Sequence, residues 1–159
     1  MFCYINEIES QKQVQQALGQ GAGAIGIKIG YGEHKVPPES ARELFLSCPL
    51  FIGKVGVFAA DMPRYEVEEL ITFCKLDVLH FTQIPMDISS YRTAILLEVG
   101  EKEIQFAPAD LAGYILEKPL SFPFPVFETK IWQKGNQHRN LWQKSGIQPY
   151  GCVKSIEEL

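Results

Sequence analysis

The first half of the chain alternates short apolar runs with amphipathic stripes, and this alternation restricts the fold more than any other feature. Val14, Ala17 and Leu18 recur at helical spacing. So do Ala41, Leu44, Phe45 and Cys48, and then Val67, Leu70, Ile71 and Cys74. Each set forms one apolar stripe on an amphipathic helix. Pro37 and Pro38 stand before the second helix, where a missing N–H costs little. Between the stripes lie residues 24–29, 54–59 and 78–81, with a weaker run at 1–5. Several of these runs are apolar throughout, which predicts strands covered on both faces by outer helices. The order reads β-α-β-α-β-α-β, an α/β fold with right-handed crossovers.

The second half keeps the strands but not the helices. Further β-rich runs fall at 94–99, 114–117, 126–132 and 151–153. Residues 82–93 and 100–112 leave room for only a turn or two of helix, and 118–125 carry three prolines. Only 137–144, with Leu141 and Trp142 as apolar contacts, reads as another helix. The sum is eight strands and four helices in 159 residues. An eight-stranded (β/α)8 barrel usually takes about 250 residues, seldom fewer than about 200. The expected fold is therefore a TIM-type barrel in one domain, 1–159, pared down by helices missing or shortened in its second half.

Composition narrows the classes of function. Apolar residues make up 46% and charged residues 21%, which suits a globular domain. A net charge of −4 argues against a nucleic-acid surface or a polybasic membrane patch. No apolar run approaches the roughly 18 residues that cross a bilayer. The first ten residues carry acids and no basic segment, so the expected location is cytoplasmic. Cys3, Cys48, Cys74 and Cys152 form no C-x-x-C pair, and His34, His80 and His138 show no ligand spacing, so no metal site is expected. Cys48, Cys74, Trp132 and Trp142 read as packing residues.

Ordered motifs carry a more specific message. Gly21-Ala22-Gly23-Ala24-Ile25-Gly26-Ile27 resembles the "GADAVGF" of phosphoribosylanthranilate isomerases. Pro38-Glu39-Ser40-Ala41-Arg42-Glu43-Leu44 resembles their "PEQAREL", and Phe51-Ile52-Gly53-Lys54-Val55-Gly56-Val57-Phe58 their "FVxKVGVF". Gly135-Asn136-Gln137-His138-Arg139-Asn140-Leu141 is similar to "GLNPENV", and Pro149-Tyr150-Gly151 matches the "PYG" before the last strand. The resemblance runs almost end to end and is weakest over 82–130. It implies a (β/α)8 barrel that converts N-(5-phosphoribosyl)anthranilate to the aminoketose CdRP in tryptophan biosynthesis, without a cofactor. That Amadori rearrangement needs a general acid at the ring oxygen and a general base at C2, both presented at one barrel face.

Carried over by the resemblance, Cys3 falls on the base cysteine of "KxCG" and Glu117 on the acid aspartate of "ILLD". Tyr4 then replaces the motif's glycine. His34, beside Lys35, stands for a substrate-binding arginine, while Lys134-Gly135 replaces a double glycine of the phosphate grip. The "QLHG" motif is laid on His80-Phe81-Thr82-Gln83, which loses its histidine. The final "DVSSG" becomes Val153-Lys154-Ser155-Ile156-Glu157, leaving Lys154 and Ser155 as substrate-binding candidates and placing a repelling carboxylate at the phosphate seat. Lys28, Glu98, Glu128, Lys130 and Lys154 also interrupt strands. They form either a new polar pocket around Cys3 and Glu117 or a buried ion-pair network.

Three readings follow. The first is an isomerase of a phosphorylated aminosugar with its activity weakened or lost. The second is a non-catalytic barrel that binds a small molecule or a protein. On that reading the bare outer faces of strands five to eight are covered by a second copy or another protein. The third is an enzyme of altered specificity using the Lys/Glu cluster on a non-phosphorylated substrate.

Overall fold

The computed structural model describes residues 1–88, 91–108, 111–121 and 131–159. Eight strands close into a barrel in chain order, and every neighbouring pair is parallel. The strands are β1 (Phe2–Asn6), β2 (Ala24–Lys28), β3 (Gly53–Phe58), β4 (Val78–Phe81), β5 (Ala94–Glu98), β6 (Gly113–Leu116), β7 (Ile131–Lys134) and β8 (Gly151–Ser155). The ring closes where β1 runs beside β8, from Phe2 opposite Gly151 to Asn6 opposite Ser155.

Four α-helices lie among the described residues: α1 (Gln11–Gly19), α2 (Pro38–Leu46), α3 (Arg64–Cys74) and α4 (Arg139–Ser145). The start of α1 is fixed by Ser10, whose side chain accepts the Gln13 N–H. Pro38 opens α2 from a φ suited to a helix entry. Left-handed residues end α3 and α4, at Lys75 and Gly146. Between β5 and β6 the chain makes only a 3₁₀ turn, Ile104–Phe106. No helix among the described residues is long and apolar enough to cross a membrane.

Two apolar layers result. Tyr4, Ala24, Val55, Val78, Leu96, Ile115, Trp132 and Val153 pack together inside the barrel, one from each strand. Their chain neighbours point outward: Ile5, Ile25, Leu79, Leu97, Tyr114, Leu116 and Ile131 belong to the layer under the helices. This corrects one expectation. The outer faces of β5, β6 and β7 are not bare, because Ile88, Ile104, Leu111 and Trp142 are buried against the same layer. A 3₁₀ turn and folded loops suffice to cover strands of four or five residues. The Tyr114 hydroxyl donates to the Pro108 carbonyl and ties one such loop down. Glu128 and Lys130, and most of the strand expected at 126–132, lie outside the described residues.

Gly26 is the position where the interior leaves no room. A methyl there would lie 2.3 Å from the Tyr4 hydroxyl and 2.8 Å from Asn6 Oδ1. Gly26→Ala is expected to cost about 1–3 kcal/mol through overpacking, read as a lower thermal midpoint. Combining it with Tyr4→Phe, which removes the clashing hydroxyl, is expected to cost less than the two single changes added together.

Candidate active site

Alternation along each strand decides which side chains reach the C-terminal mouth. Above the apolar ring, the inward register continues to Asn6, Lys28, His80, Glu98, Lys134 and Ser155. A cavity of about 580 Å³ opens over β4, β5 and β6, lined by Thr82, Glu98, Ile115, Glu117, Lys118 and Lys134 among others.

A chain of polar contacts runs from the barrel interior into this cavity. The Tyr4 hydroxyl lies 2.8 Å from His80 Nδ1, and His80 Nε2 lies 2.7 Å from Glu98 Oε1. Glu98 Oε2 accepts a 3.0 Å hydrogen bond from Lys134 Nζ. Tyr4 and His80 are fully buried, and Glu98 is 18% exposed. Burial raises the Tyr4 pKa well above its ordinary value, with the Glu98 and Glu7 carboxylates adding to the effect, so its O–H keeps its proton and donates to Nδ1. Nε2–H then donates to the carboxylate, and both ring nitrogens are satisfied. For Glu98, burial acts to raise the pKa. The hydrogen bond from His80, with the Lys134 ammonium and its hydrogen bond, outweighs it and holds the carboxyl below its ordinary value.

Glu117 follows β6 at the same opening. The Trp142 indole N–H donates to the Glu117 carbonyl at 3.2 Å, so α4 fixes this corner. The Glu117 carboxylate, 57% exposed, lies 3.6 Å from His138 Nε2 at the start of α4.

Cys3 is not brought to this opening, which corrects the expectation that it and Glu117 share a cavity. Tyr4 takes the inward position of β1, so Cys3 points outward into the layer beneath the helices. It sits opposite Cys152, and burial with that thiol beside it pushes its pKa up to about 11. Lys154 points outward too, lining an outer cleft with Cys152 rather than the mouth. Ser155 stands at the mouth beside Asn6, its hydroxyl accepting the Glu157 N–H. His34 sits on the loop after β2 with its ring 79% exposed, 3.6 Å from both Glu9 and Glu33, and does not line the cavity.

Lys134 lines the cavity and pairs with Glu98. Gly135 adopts φ 64 and donates its N–H to the Val153 carbonyl. A methyl at Gly135 would lie 3.3 Å from a Glu158 carboxylate oxygen. Glu158, rather than only the expected Glu157, thus places negative charge beside this turn. The mixed-charge cluster is a network in part: Glu98 belongs to it, whereas Lys28 has no ion-pair partner among the described residues. Among the described residues no group of three or more histidine, cysteine or acidic side chains could hold a metal ion.

Sequence reasoning missed Tyr4 and His80. The signal was a lone histidine inside an apolar run of β4, with Glu98 at the same parity on β5; in register, His80 lies opposite Leu96. Laid on β4 itself, "QLHG" matches Val78-Leu79-His80-Phe81, so its leucine and histidine are kept.

A closed ring of eight parallel strands with polar groups gathered at its C-terminal mouth defines a (β/α)8 barrel. No family model matches the chain. The N-(5'-phosphoribosyl)anthranilate isomerase of Desulfitobacterium hafniense (strain DSM 10664 / DCB-2) is 37% identical, over 94% of this chain and 81% of the relative. The chain belongs to the phosphoribosylanthranilate isomerase family. The enzymes of Desulforamulus reducens and Moorella thermoacetica match more locally, at 44% and 35% identity; the matches span 28% and 32% of their lengths. Phosphoribosylanthranilate isomerase of Thermotoga maritima shares the fold, with a TM-score of 0.74 at 16% identity over 98% of this chain and 87% of that one.

The depressed Glu98 carboxyl makes a pH prediction. Its contribution to stability is complete above the unfolded carboxyl value and is lost as pH falls through the lower folded value. Melting temperatures measured from pH 6 down to pH 3 are expected to fall more steeply for the wild type than for Glu98→Gln. Parallel curves would show that the network carries no linked proton.

Proposed function

We propose that this chain is a phosphoribosylanthranilate isomerase-type barrel that keeps a small-molecule mouth but has the family's rearrangement of N-(5-phosphoribosyl)anthranilate weakened or lost. The reading rests on one observation. The inward residue that ends β1 is Asn6, and the residue after it, Glu7, has a left-handed φ of 62. That conformation suits the glycine of "KxCG", so the motif's cysteine corresponds to Asn6 rather than Cys3. Tyr4, buried inside the barrel, is a poor match for that glycine. An amide cannot take a proton as a thiolate can. The Asn6 carboxamide oxygen also already accepts the Glu7 N–H at 2.7 Å.

The rim supports the same reading. A phosphate in this fold is normally gripped by the loops after strands seven and eight. Here Glu157 and Glu158 stand in that region, and Lys134 pairs with Glu98. Loss of a positioned base typically removes about 10²–10⁴-fold of rate. Purified protein given N-(5-phosphoribosyl)anthranilate is expected to turn over slower than the D. hafniense relative by that margin and to leave a tryptophan auxotroph unrescued. Cys3→Ser is expected to leave any residual turnover unchanged. Turnover equal to the relative's, abolished by Cys3→Ser, would overturn the proposal.

A further inference from the structure

Resting on that reading of the mouth, we propose that Glu98 is the proton-accepting catalytic residue of a different substrate class: a non-phosphorylated glycosylamine, an aryl or alkyl amine joined to C1 of a reducing sugar. Three observations carry it. Glu98 is the one group that both ends the buried Tyr4–His80 relay and lines the cavity. Glu117, beside His138, follows the next strand and lines the same cavity, so two carboxyl groups face one space. The Glu158 carboxylate stands beside the Gly135 turn after β7, where it would repel a phosphate dianion held by that loop, whereas a neutral sugar hydroxyl meets no such repulsion.

The steps balance within these residues. The Glu117–His138 pair gives a proton to the ring oxygen as the C1–O bond breaks, leaving an iminium at C1. Glu98 takes the proton from C2. The C–H electron pair becomes the C1=C2 bond, and the iminium pair returns to nitrogen. The enaminol then collapses to the C2 ketone: its hydroxyl proton returns to the Glu117–His138 pair, and Glu98 delivers its proton to C1. No electrons are exchanged with any other reagent. Tyr4 and His80 are positioning residues, which orient the carboxylate and keep it ionised between turnovers. Lys134 holds the second carboxylate oxygen until an acidic substituent on the amine competes for it.

The test uses the full chain with N-ribosylanthranilate and, separately, N-(5-phosphoribosyl)anthranilate, followed by NMR in D2O. Conversion of the non-phosphorylated sugar, read as loss of the C2 proton signal and appearance of the C2 ketone, is expected at a higher kcat/KM than for the phosphorylated one. Glu98→Gln is expected to lower kcat by about 100-fold or more, and Glu98→Asp to restore part of it. Tyr4→Phe is expected to retain turnover while moving the acid limb of the kcat/KM profile to higher pH, a shift that a purely structural hydroxyl would not cause. Failure to convert either sugar overturns the assignment, as does wild-type turnover in Glu98→Gln. Should Glu98→Gln not fold, an unmoved acid limb in Tyr4→Phe overturns it equally. Preference for the phosphorylated sugar overturns the proposed substrate class together with the reading of the rim as closed to phosphate, and the role of Glu98 is then judged by its own variants.

Discussion

The pairing of β1 with β8 is the contact on which the rest of the molecule depends. It joins residues near opposite ends of the chain, and without it the sheet would be an open ribbon with two exposed edges. Closure converts one face of that ribbon into an interior. Only then do Tyr4 on β1 and His80 on β4, 76 residues apart, come within hydrogen-bonding distance across the lumen. The same pairing sets Asn6 beside Ser155 and brings the carboxyl-terminal 3₁₀ turn, Ile156–Glu158, over the rim. The geometry of the mouth is thus a consequence of the ring and not of any local motif.

Inside that ring, polarity increases in one direction. The lower interior is apolar, one side chain from each strand. The next inward positions bring a tyrosine hydroxyl, an imidazole, a carboxylate and an ammonium in sequence toward solvent. Burying such groups is unfavourable unless each finds a partner. Every buried side-chain nitrogen and oxygen among the described residues has one. Gly26 belongs to the same arrangement, since only a missing side chain leaves space for the Tyr4 hydroxyl and the Asn6 amide together. A layer of aliphatic residues would fill the space with less risk of an unpaired charge. Retention of a satisfied polar column ending at a cavity therefore argues for chemistry at its open end.

The fold was legible in the sequence because strand and helix periods are local. The stripes of α1, α2 and α3 and the runs of β2 to β6 each declare themselves within about a dozen residues, and the order of family-like segments supplied the closed ring. The site was only partly legible. Glu117 and Lys134 could be placed because they end strands, where the chain must open toward a mouth. Cys3 could not be placed correctly, because a residue type was matched where the backbone had to be. On the proposed alignment the motif's glycine falls at Glu7, three residues beyond Tyr4, where φ is left-handed. A period of two along β1 then sends Cys3 outward. His80 was hidden for a different reason: its partners, Tyr4 and Glu98, are recruited by closure and leave no spacing signature. The bare outer strands were misread because covering four residues of strand needs a few apolar loop side chains, such as Ile88 and Ile104, and not a helix.

Moving the proton acceptor from β1 to β5 also changes which part of the barrel must be accessible. A base on β1 serves a substrate seated near the rim of β8, where loops after strands seven and eight would hold a phosphate. An acceptor on β5 serves a substrate lying over β4, β5 and β6, which is where the cavity opens. The shortened connection between β5 and β6 follows from the same shift. A full helix and its entry loop would add bulk around that side of the mouth, whereas the turn at Ile104 covers the outer face of the strands and leaves Glu98 18% exposed. Trp142 reinforces the division by hydrogen-bonding the Glu117 backbone, so that the side of the mouth near β7 is fixed while the side near β5 is open. The short β5–β6 connection, the Glu158 carboxylate beside the Gly135 turn and the buried relay all accord with the proposed acceptor on β5.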